Sequence, residues 1–275
     1  MGTPGLRRVE QVMGTPVSVH LADPLPPRRL AALADEVFAW LREVDARFST
    51  YRPDSEVSRF GRGELSIEDC SPDLRYVVEA CADLWRETDG YFDAYATGRF
   101  DPSGFVKGWS VQVASDRLLA EGCGSHWINA GGDIRARGGP RPGESWRIGV
   151  RHPWQPDRVC WVLDVTDVAI ATSGTYERGL HVIDPYRGEP AHALTSVTVV
   201  GRDLGRADAY ATAGVAMGTA GLRWLADLPD HEVGIVTEEG LCYRSEGFPA
   251  LPAEPGPRGV HAEPSAWPAR TRPPD

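Results

Sequence analysis

The sequence has no run of 18 apolar residues, no Cys-x-x-Cys pair and no excess of basic charge. Without such a run we expect no membrane-spanning helix. The first residues, Met-Gly-Thr-Pro-Gly-Leu-Arg-Arg, contain no apolar signal region and no lipobox cysteine, so we expect a cytoplasmic protein without a membrane anchor. The formal net charge of −10 argues against a nucleic-acid-binding surface. A local cation could still bind an anionic ligand.

Cysteine is sparse, and its spacing argues against disulfides and against a zinc site. The five cysteines are odd in number and widely separated: Cys70, Cys81, Cys123, Cys160 and Cys242. We expect reduced cysteines in an ordinary core. Hydrophobic residues at 41% and charged residues at 25% are typical of a soluble globular protein, and 275 residues are enough for one large or two small domains.

Apolar periodicity predicts helices and strands that are interleaved along the chain. Helices are predicted at 28–46, 72–88, 104–119 and 205–217, with a short one capped near residues 54–56. Strands are predicted at 17–21, 127–129, 146–150, 159–165, 168–171, 196–200 and 233–236. Hairpin-like pairs in the second half favour an α+β fold with mixed, largely antiparallel sheets and packed helices.

Composition changes near residue 248, after which prolines are frequent and large apolar side chains are rare. We therefore predict one domain over residues 1–248 and a Pro-rich, disordered tail over residues 249–275.

Asp208 and Thr212 lie four residues apart in an Ala-rich segment. If that segment is helical, both side chains share one face, and a carboxylate with a hydroxyl suits a hard divalent cation. The alternative is an Asp that complements the helix dipole and a Thr that only packs.

Five blocks occur in a characteristic order: Met-Gly-Thr-Pro at 13–16 with Phe-Ser-Thr-Tyr-Arg-Pro at 48–53, Asn-Ala-Gly-Gly-Asp-Ile at 129–134, Ala-Ile-Ala-Thr-Ser-Gly-Thr-Tyr at 169–176, His-Val-Ile-Asp-Pro at 181–185, and Ala-Asp-Ala-Tyr-Ala-Thr-Ala at 207–213. In this order they resemble the ApbE family of FAD:protein FMN transferases over most of residues 9–240. Many members are exported lipoproteins, and this chain differs in lacking the lipobox cysteine.

The resemblance implies that Asp208 and Thr212 bind Mg²⁺. The third ligand position of the family matches Gly104, which could offer only its carbonyl. Ala211 stands where some relatives carry a further carboxylate. Fewer protein ligands and more water would suit Mg²⁺.

The resemblance also implies a set of residues that contact FAD: Met13, Tyr51, Phe92, Asp93, Ala94, Asp101, Lys107 and Ile183. Lys107 would lie near the diphosphate and Tyr51 against the isoalloxazine ring. Each has a plain structural alternative, such as a helix cap for Asp101 or a core position for Met13. The segment after Asp93 is shorter than the family pattern.

His181 and Asp208 are the catalytic candidates that the resemblance implies for the acceptor hydroxyl; His181 could equally be a histidine satisfied at a strand end. The Gly131-Gly132 step lacks the Gly-x-Gly-x-x-Gly fingerprint, so we interpret it as a strand-end turn by the flavin. Asp133, which follows it, is interpreted as structural. Gly104 and Gly108 would allow the backbone to approach the dinucleotide.

The implied activity is Mg²⁺-dependent transfer of FMN from FAD to a Ser or Thr hydroxyl of a target protein, with release of AMP. FAD is then a substrate, and the acceptor protein is the partner. Two alternatives stay open: an Mg²⁺-dependent FAD pyrophosphatase that yields FMN and AMP, and a flavin-binding protein without catalysis.

Overall fold

Twelve β-strands lie within residues 5–175 and 182–252, the parts of the chain that the computed structural model describes. They are β1 (Leu6–Val12), β2 (Thr15–Leu21), β3 (His126–Ala130), β4 (Asp133–Arg137), β5 (Trp146–Arg151), β6 (Val159–Val165), β7 (Val168–Gly174), β8 (Ile183–Asp184), β9 (Glu189–Pro190), β10 (Leu194–Gly201), β11 (Glu232–Thr237) and β12 (Cys242–Arg244). The helices are α1 (Pro27–Phe48), α2 (Glu56–Gly61), α3 (Pro72–Glu87), α4 (Ser103–Ala120), α5 (Leu204–Ala216) and α6 (Gly221–Ala226), with a 3-10 turn at Gly218–Ala220.

An eight-stranded sheet forms the centre of the molecule, in the order β1-β2-β3-β4-β7-β10-β11-β12. Every neighbouring pair in it is antiparallel. Two further pairs, β5–β6 and β8–β9, stand outside it. The predicted α+β class with largely antiparallel sheets is confirmed.

The two faces of the sheet are covered by different elements, because successive strand residues point to opposite sides. On one face, Ala169 and Ala171 of β7 join the core formed with α1, α4 and α5. On the other face, Ile170 packs with Trp146 and Leu163 of the β5–β6 hairpin. The sheet is therefore buried on both sides, which explains the continuous burial of β10.

The predicted helices are present, and α2 and α3 begin with the side-chain caps typical of helix starts. Ser55 Oγ accepts a hydrogen bond from Ser58 N–H (3.1 Å) at the start of α2. Ser71 Oγ accepts one from Leu74 N–H (3.2 Å) at the start of α3, where Pro72 takes the first helical position.

Strands β1 and β4 were not predicted, because β1 does not alternate strictly between apolar and polar residues and β4 is a five-residue segment with three charged residues. β1 is an edge strand and exposes its alternate residues. β4 buries Asp133 and Arg135, two charged residues that normally lie on a surface. The spacing of apolar residues along the chain does not reveal that charged residues such as these are buried.

Disulfides and membrane-spanning helices are both absent from the described residues. All five cysteines are unpaired in the structure, and Cys70, Cys81 and Cys123 are buried. No helix in residues 5–175 and 182–252 is long and apolar enough to cross a membrane.

The end of the described chain packs on the β5–β6 hairpin. Phe248 is buried against Trp161, with ring centroids 5.4 Å apart. Asp164 N–H donates to Pro249 O (2.9 Å), and Leu251 N–H donates to Val162 O (2.8 Å). Ordered contacts thus continue to residue 251, past the predicted boundary at 248, while residues 253–275 of the predicted tail lie outside the described residues.

A truncation series tests where the domain ends. A chain ending at residue 252 should keep the melting temperature of the full chain, because the contacts of Phe248 and Leu251 remain. A chain ending at residue 247 should lose about 1.5–3 kcal/mol of stability with the Phe248 side chain. Differential scanning calorimetry separates the two, and a large loss in the 252-residue chain would mean that residues beyond 252 pack on the domain.

Candidate active site

A cavity of about 900 Å³ lies at the end of the sheet, where β7 finishes and α4 begins. This volume is near the upper end of the range for small-molecule sites. Its walls come from both sides of the sheet: the turn at Gly131 and Gly132, the end of β7, the first turns of α4, one face of α5, residues 91–97, β5 residues 148–151, and residues 182–183. The cavity is therefore built from segments that are far apart in sequence.

Three charged side chains meet at one end of the cavity. Lys107 of α4 forms an ion pair with Asp133 of β4, and its Nζ lies 3.8 Å from Oδ1 of Asp208 in α5. Thr172 N–H donates to Asp133 Oδ1 (3.2 Å), and Gly108 N–H donates to Asp208 Oδ2 (3.2 Å). Both carboxylates are buried. Lys107 is the one lysine in the sequence; the other 28 of its 29 basic residues are arginines.

The buried cluster carries two carboxyl groups for one ammonium group. Burial raises the pKa of Asp208 well above its usual value, and the negative charge of Asp133 raises it further, while Lys107 acts in the opposite direction. When Asp208 is ionised, the single positive charge of Lys107 does not balance the two neighbouring carboxylates. A divalent cation beside it would supply that charge.

Hydroxyl groups extend the cluster along α5 and β7. Thr212 lies one turn beyond Asp208, and its Oγ1 is 3.1 Å from Ser173 Oγ. A Cβ built on Gly104 would lie 3.6 Å from Thr212 Oγ1 and 3.2 Å from the Phe92 ring, so the first turn of α4 closes directly on this group. These oxygen atoms fit a hard cation such as Mg²⁺.

Among residues 5–175 and 182–252, no three His, Cys, Asp or Glu side chains form a group that could hold a metal ion. Any cation at Asp208 would therefore complete its shell with hydroxyl groups, carbonyl groups, water or substrate oxygens, which is the usual arrangement for Mg²⁺.

The family model of the ApbE family matches residues 13–98 and 96–235, which is most of the chain. The chain belongs to the ApbE family. The resemblance predicted from the five sequence blocks is thereby confirmed.

Named relatives and solved structures agree with this assignment. The FAD:protein FMN transferase of Vibrio cholerae serotype O1 is 38% identical, over 68% of this chain and 73% of that protein. The enzyme of the same name from Escherichia coli K12 is 28% identical, but the match covers only 44% of its length. The solved flavin transferase ApbE from Vibrio cholerae superposes with a TM-score of 0.77 at 26% identity, covering 90% of this chain and 99% of that one. The ApbE protein from Thermotoga maritima has the same fold. It superposes with a TM-score of 0.77 at 22% identity, covering 88% of this chain and 97% of that one.

Most of the site residues implied by the ApbE motifs lie on the cavity wall: Phe92, Asp93, Ala94, Asp101, Gly104, Lys107, Ile183, Asp208 and Thr212. Asp101 also accepts Ser103 N–H (3.0 Å), but the cap position of α4 is Pro102, and the helix start has no side-chain cap. The roles of these residues toward FAD and metal stay predictions.

Two implied FAD contacts lie away from the wall. Tyr51 is 96% exposed and does not line the cavity; it lies in a turn in which Ser55 Oγ donates to Ser49 O (2.7 Å). Met13 sits in the β1–β2 turn with its Sδ 3.8 Å from Ser110 Oγ, while its neighbour Gly14 lines the cavity. His181 lies outside the described residues.

The sequence did not indicate which side chains Asp133 and Ser173 contact. Asp133 was interpreted as structural, and its buried carboxylate pairs with Lys107, which lines the cavity. The only available signal was its place directly after the Gly131-Gly132 turn. Ser173 contacts Thr212, and its signal was the hydroxyl-rich end of the Ala-Ile-Ala-Thr-Ser-Gly block.

The expected function of Gly108 is also corrected. It does not lie on the cavity wall. A Cβ at Gly108 would come within 2.4 Å of Leu204 O and 3.0 Å of Asp208 Cβ. The glycine therefore allows α4 to approach α5 rather than a nucleotide.

Proposed function

We propose that this protein transfers FMN from FAD to a Ser or Thr hydroxyl of an acceptor protein, releases AMP, and depends on Mg²⁺. Its broader class is confirmed: relatives at up to 38% identity are FAD:protein FMN transferases. The observation that carries the finer proposal is the contact of half-buried Lys107 with the buried carboxylates of Asp133 and Asp208 at one end of a large cavity.

The shape and polarity of the cavity support FAD as the substrate. Its volume of about 900 Å³ suits a dinucleotide-sized ligand rather than a metabolite of a few atoms. The Lys107 ammonium provides a point charge for the diphosphate. Ile134, Ile148 and Ile170 give another part of the wall an apolar surface that suits a flat flavin ring.

The residues that would hold Mg²⁺ are Asp208 and Thr212, with the Gly104 carbonyl as a third candidate and Ser173 beside Thr212. When bound, Mg²⁺ would offset negative charge on the diphosphate and on the leaving AMP. The helix supplies the spacing, since Asp208 and Thr212 share one face of α5.

The transfer requires one bond to form and one to break. The acceptor oxygen forms a bond to the phosphorus of the FMN half, and the diphosphate bond to AMP breaks. The acceptor proton goes to a base, for which Asp208 and His181 are the candidates. Burial and the neighbouring Asp133 raise the pKa of Asp208, which brings this carboxyl closer to the range useful for a general base.

Two alternatives keep the same cavity. Water in place of the acceptor would make the protein an Mg²⁺-dependent FAD pyrophosphatase. Binding without turnover would make it a flavin-binding protein, an option raised by Ala211 and the short segment after Asp93.

One experiment separates these functions. The protein is incubated with FAD, Mg²⁺ and candidate acceptor proteins, and flavin fluorescence is recorded in a denaturing gel alongside AMP release. Covalent fluorescence on an acceptor with stoichiometric AMP supports the transferase. AMP without labelling indicates the pyrophosphatase, and bound flavin without AMP indicates the binding protein.

Substitution of Thr212 tests the hydroxyl at the proposed metal site. Thr212→Val keeps the shape of the side chain but removes the oxygen, so Mg²⁺ affinity should fall by about 10–100-fold. Thr212→Ser retains the oxygen and should stay within a few fold of the wild type. The measurement is the Mg²⁺ concentration for half-maximal AMP release, and equal values for all three proteins would remove Thr212 from the metal site.

A further inference from the structure

Strand β5 turns its backbone edge toward the cavity. One face of a strand presents only alternate residues. Here four consecutive residues, 148–151, lie on the cavity wall. An edge, and not a face, is therefore exposed to the site.

The direction of the backbone groups on this edge follows from the contacts of β6. Asp164 N–H and Val162 C=O bond to residues 249–251, so residues 162 and 164 face away from β5. Because alternate residues bond to opposite sides, Leu163 faces β5, where its register partner is Ile148.

The neighbours of Ile148 then face the other way. The N–H and C=O groups of Arg147 and Gly149 point to the outer edge of β5. Among the described residues, β5 pairs only with β6, and no backbone hydrogen bond joins Arg147 or Gly149 to another element. Such an edge can pair with another strand.

We propose that the outer edge of β5 binds an extended segment of the acceptor protein by strand addition, next to the cavity that receives its hydroxyl. This inference rests on the proposed function, because only a transferase must bring a polypeptide to this cavity. Main-chain pairing would hold the segment while leaving its side chains free to select the target. Gly149 itself accommodates the hairpin partner, since a Cβ at this position would lie 2.8 Å from Val159 Cγ1.

The charge of β5 fits the same occupant. Residues 146–152 read Trp-Arg-Ile-Gly-Val-Arg-His and contain no acidic residue in a chain of net charge −10. Arg147 lies opposite Asp164 in the hairpin, which balances part of this charge. We therefore expect acidic residues to be favoured, but not required, beside the modified hydroxyl.

A peptide experiment tests strand addition directly. A library of 11-residue synthetic peptides with a central Thr and randomised flanks is incubated with the protein, FAD and Mg²⁺, and fluorescent products are sequenced. The best substrate is then N-methylated one position at a time. Alternate positions should each lose about tenfold in kcat/KM, whereas intervening positions should stay unchanged, because only alternate N–H groups face β5.

Two variants at Arg147 test the same pairing from the side of the protein, one without the outward N–H and one that keeps it. Arg147→Pro removes an outward N–H at a position where an edge strand tolerates proline, and should raise KM for the peptide about tenfold. Arg147→Ala keeps that N–H and should change KM much less. FAD affinity should be the same in both variants, since FAD itself is not the proposed occupant.

Hydrogen exchange of the unmodified protein adds a readout that needs no mutation. The Gly149 amide should exchange rapidly alone and become protected when the peptide is added. Protection before peptide is added would mean that this chain or a second copy already covers the edge, and would overturn the inference.

The remaining outcomes distinguish this inference from the proposed function. Labelled peptides without an alternating N-methyl pattern overturn strand addition alone. AMP release without any labelled peptide overturns the transferase, and the acceptor site with it.

Discussion

Asp208→Ala is expected to abolish Mg²⁺-dependent release of AMP from FAD while the protein keeps its fold. The carboxylate is buried at the cavity wall, receives Gly108 N–H, and shares a helix face with Thr212. Loss of the main charged metal ligand should therefore reduce turnover at least about 100-fold, or 2.7 kcal/mol.

The stability of this variant should not fall, because Asp208 costs the folded protein free energy when it is ionised. Burial, followed by the charge of Asp133, raises the pKa of this carboxyl in the folded state. A raised pKa means that the folded state binds the proton more tightly than the unfolded state. Asp208 therefore destabilises the protein progressively as pH rises above its unfolded pKa.

Asp208→Asn is the matched control for shape. In metal-free buffer at neutral pH, its melting temperature should equal or exceed that of the wild type, while its AMP release should be as low as in Asp208→Ala. Mg²⁺ should raise the melting temperature of the wild type only. A fully active Asp208→Asn protein would exclude this carboxylate from the metal site.

The helical part of the fold was predictable because its local signals and its packing agree. In α1 the apolar residues repeat at helical spacing and are the residues that become buried, including Leu30, Val37 and Leu41. In α3 the same repeat follows a Ser71-Pro72 start. Where local helix propensity and burial in the folded protein agree, the sequence alone is sufficient to predict the helix.

The strands were less predictable where charge is buried. β4 carries Asp133 and Arg135 inward, since one pairs with Lys107 and the other donates to the Ala136 carbonyl at 2.8 Å. Lys107 comes from a helix that precedes β4 by many residues. The ion pair of Asp133 with Lys107 joins two different elements, so no local pattern reveals it.

The same distinction applies to the site. Asp208 and Thr212 could be paired from their spacing, because a helix fixes the distance between residues four apart. Ser173 and Asp133 join them through the register of β7 with β4 and the packing of α5 on β7. Tyr51 shows the limit of a motif: the structure places it in solvent, and its contact with FAD stays a prediction.

Gly108→Ala is expected to impair both stability and activity, although position 108 does not line the cavity. A Cβ there would meet Leu204 O at 2.4 Å, Leu204 C at 2.8 Å and Asp208 Cβ at 3.0 Å. The obstructing atoms are mostly backbone, so a rotamer change cannot relieve the contact. The two helices must separate, and overpacking of this kind costs about 1–3 kcal/mol.

Separation of α4 from α5 would move the charged groups of the site apart. Lys107 is adjacent to the substituted residue, and Asp208 would lose its hydrogen bond from the N–H of residue 108. We therefore expect FAD turnover to fall by at least about tenfold, since small displacements of reacting groups have large effects on rate. The measurements are thermal unfolding and Mg²⁺-dependent AMP release.

Gly61→Ala provides the matched control, because Gly61 is also helical but its Cβ would meet only Phe100 atoms at 3.7–3.8 Å, an ordinary contact. This variant should be as stable as the wild type or more so, by up to about 1 kcal/mol from helix propensity. Its AMP release should be unchanged. If Gly108→Ala behaved in the same way, the close contact between α4 and α5 would not be what holds Lys107 and Asp208 together.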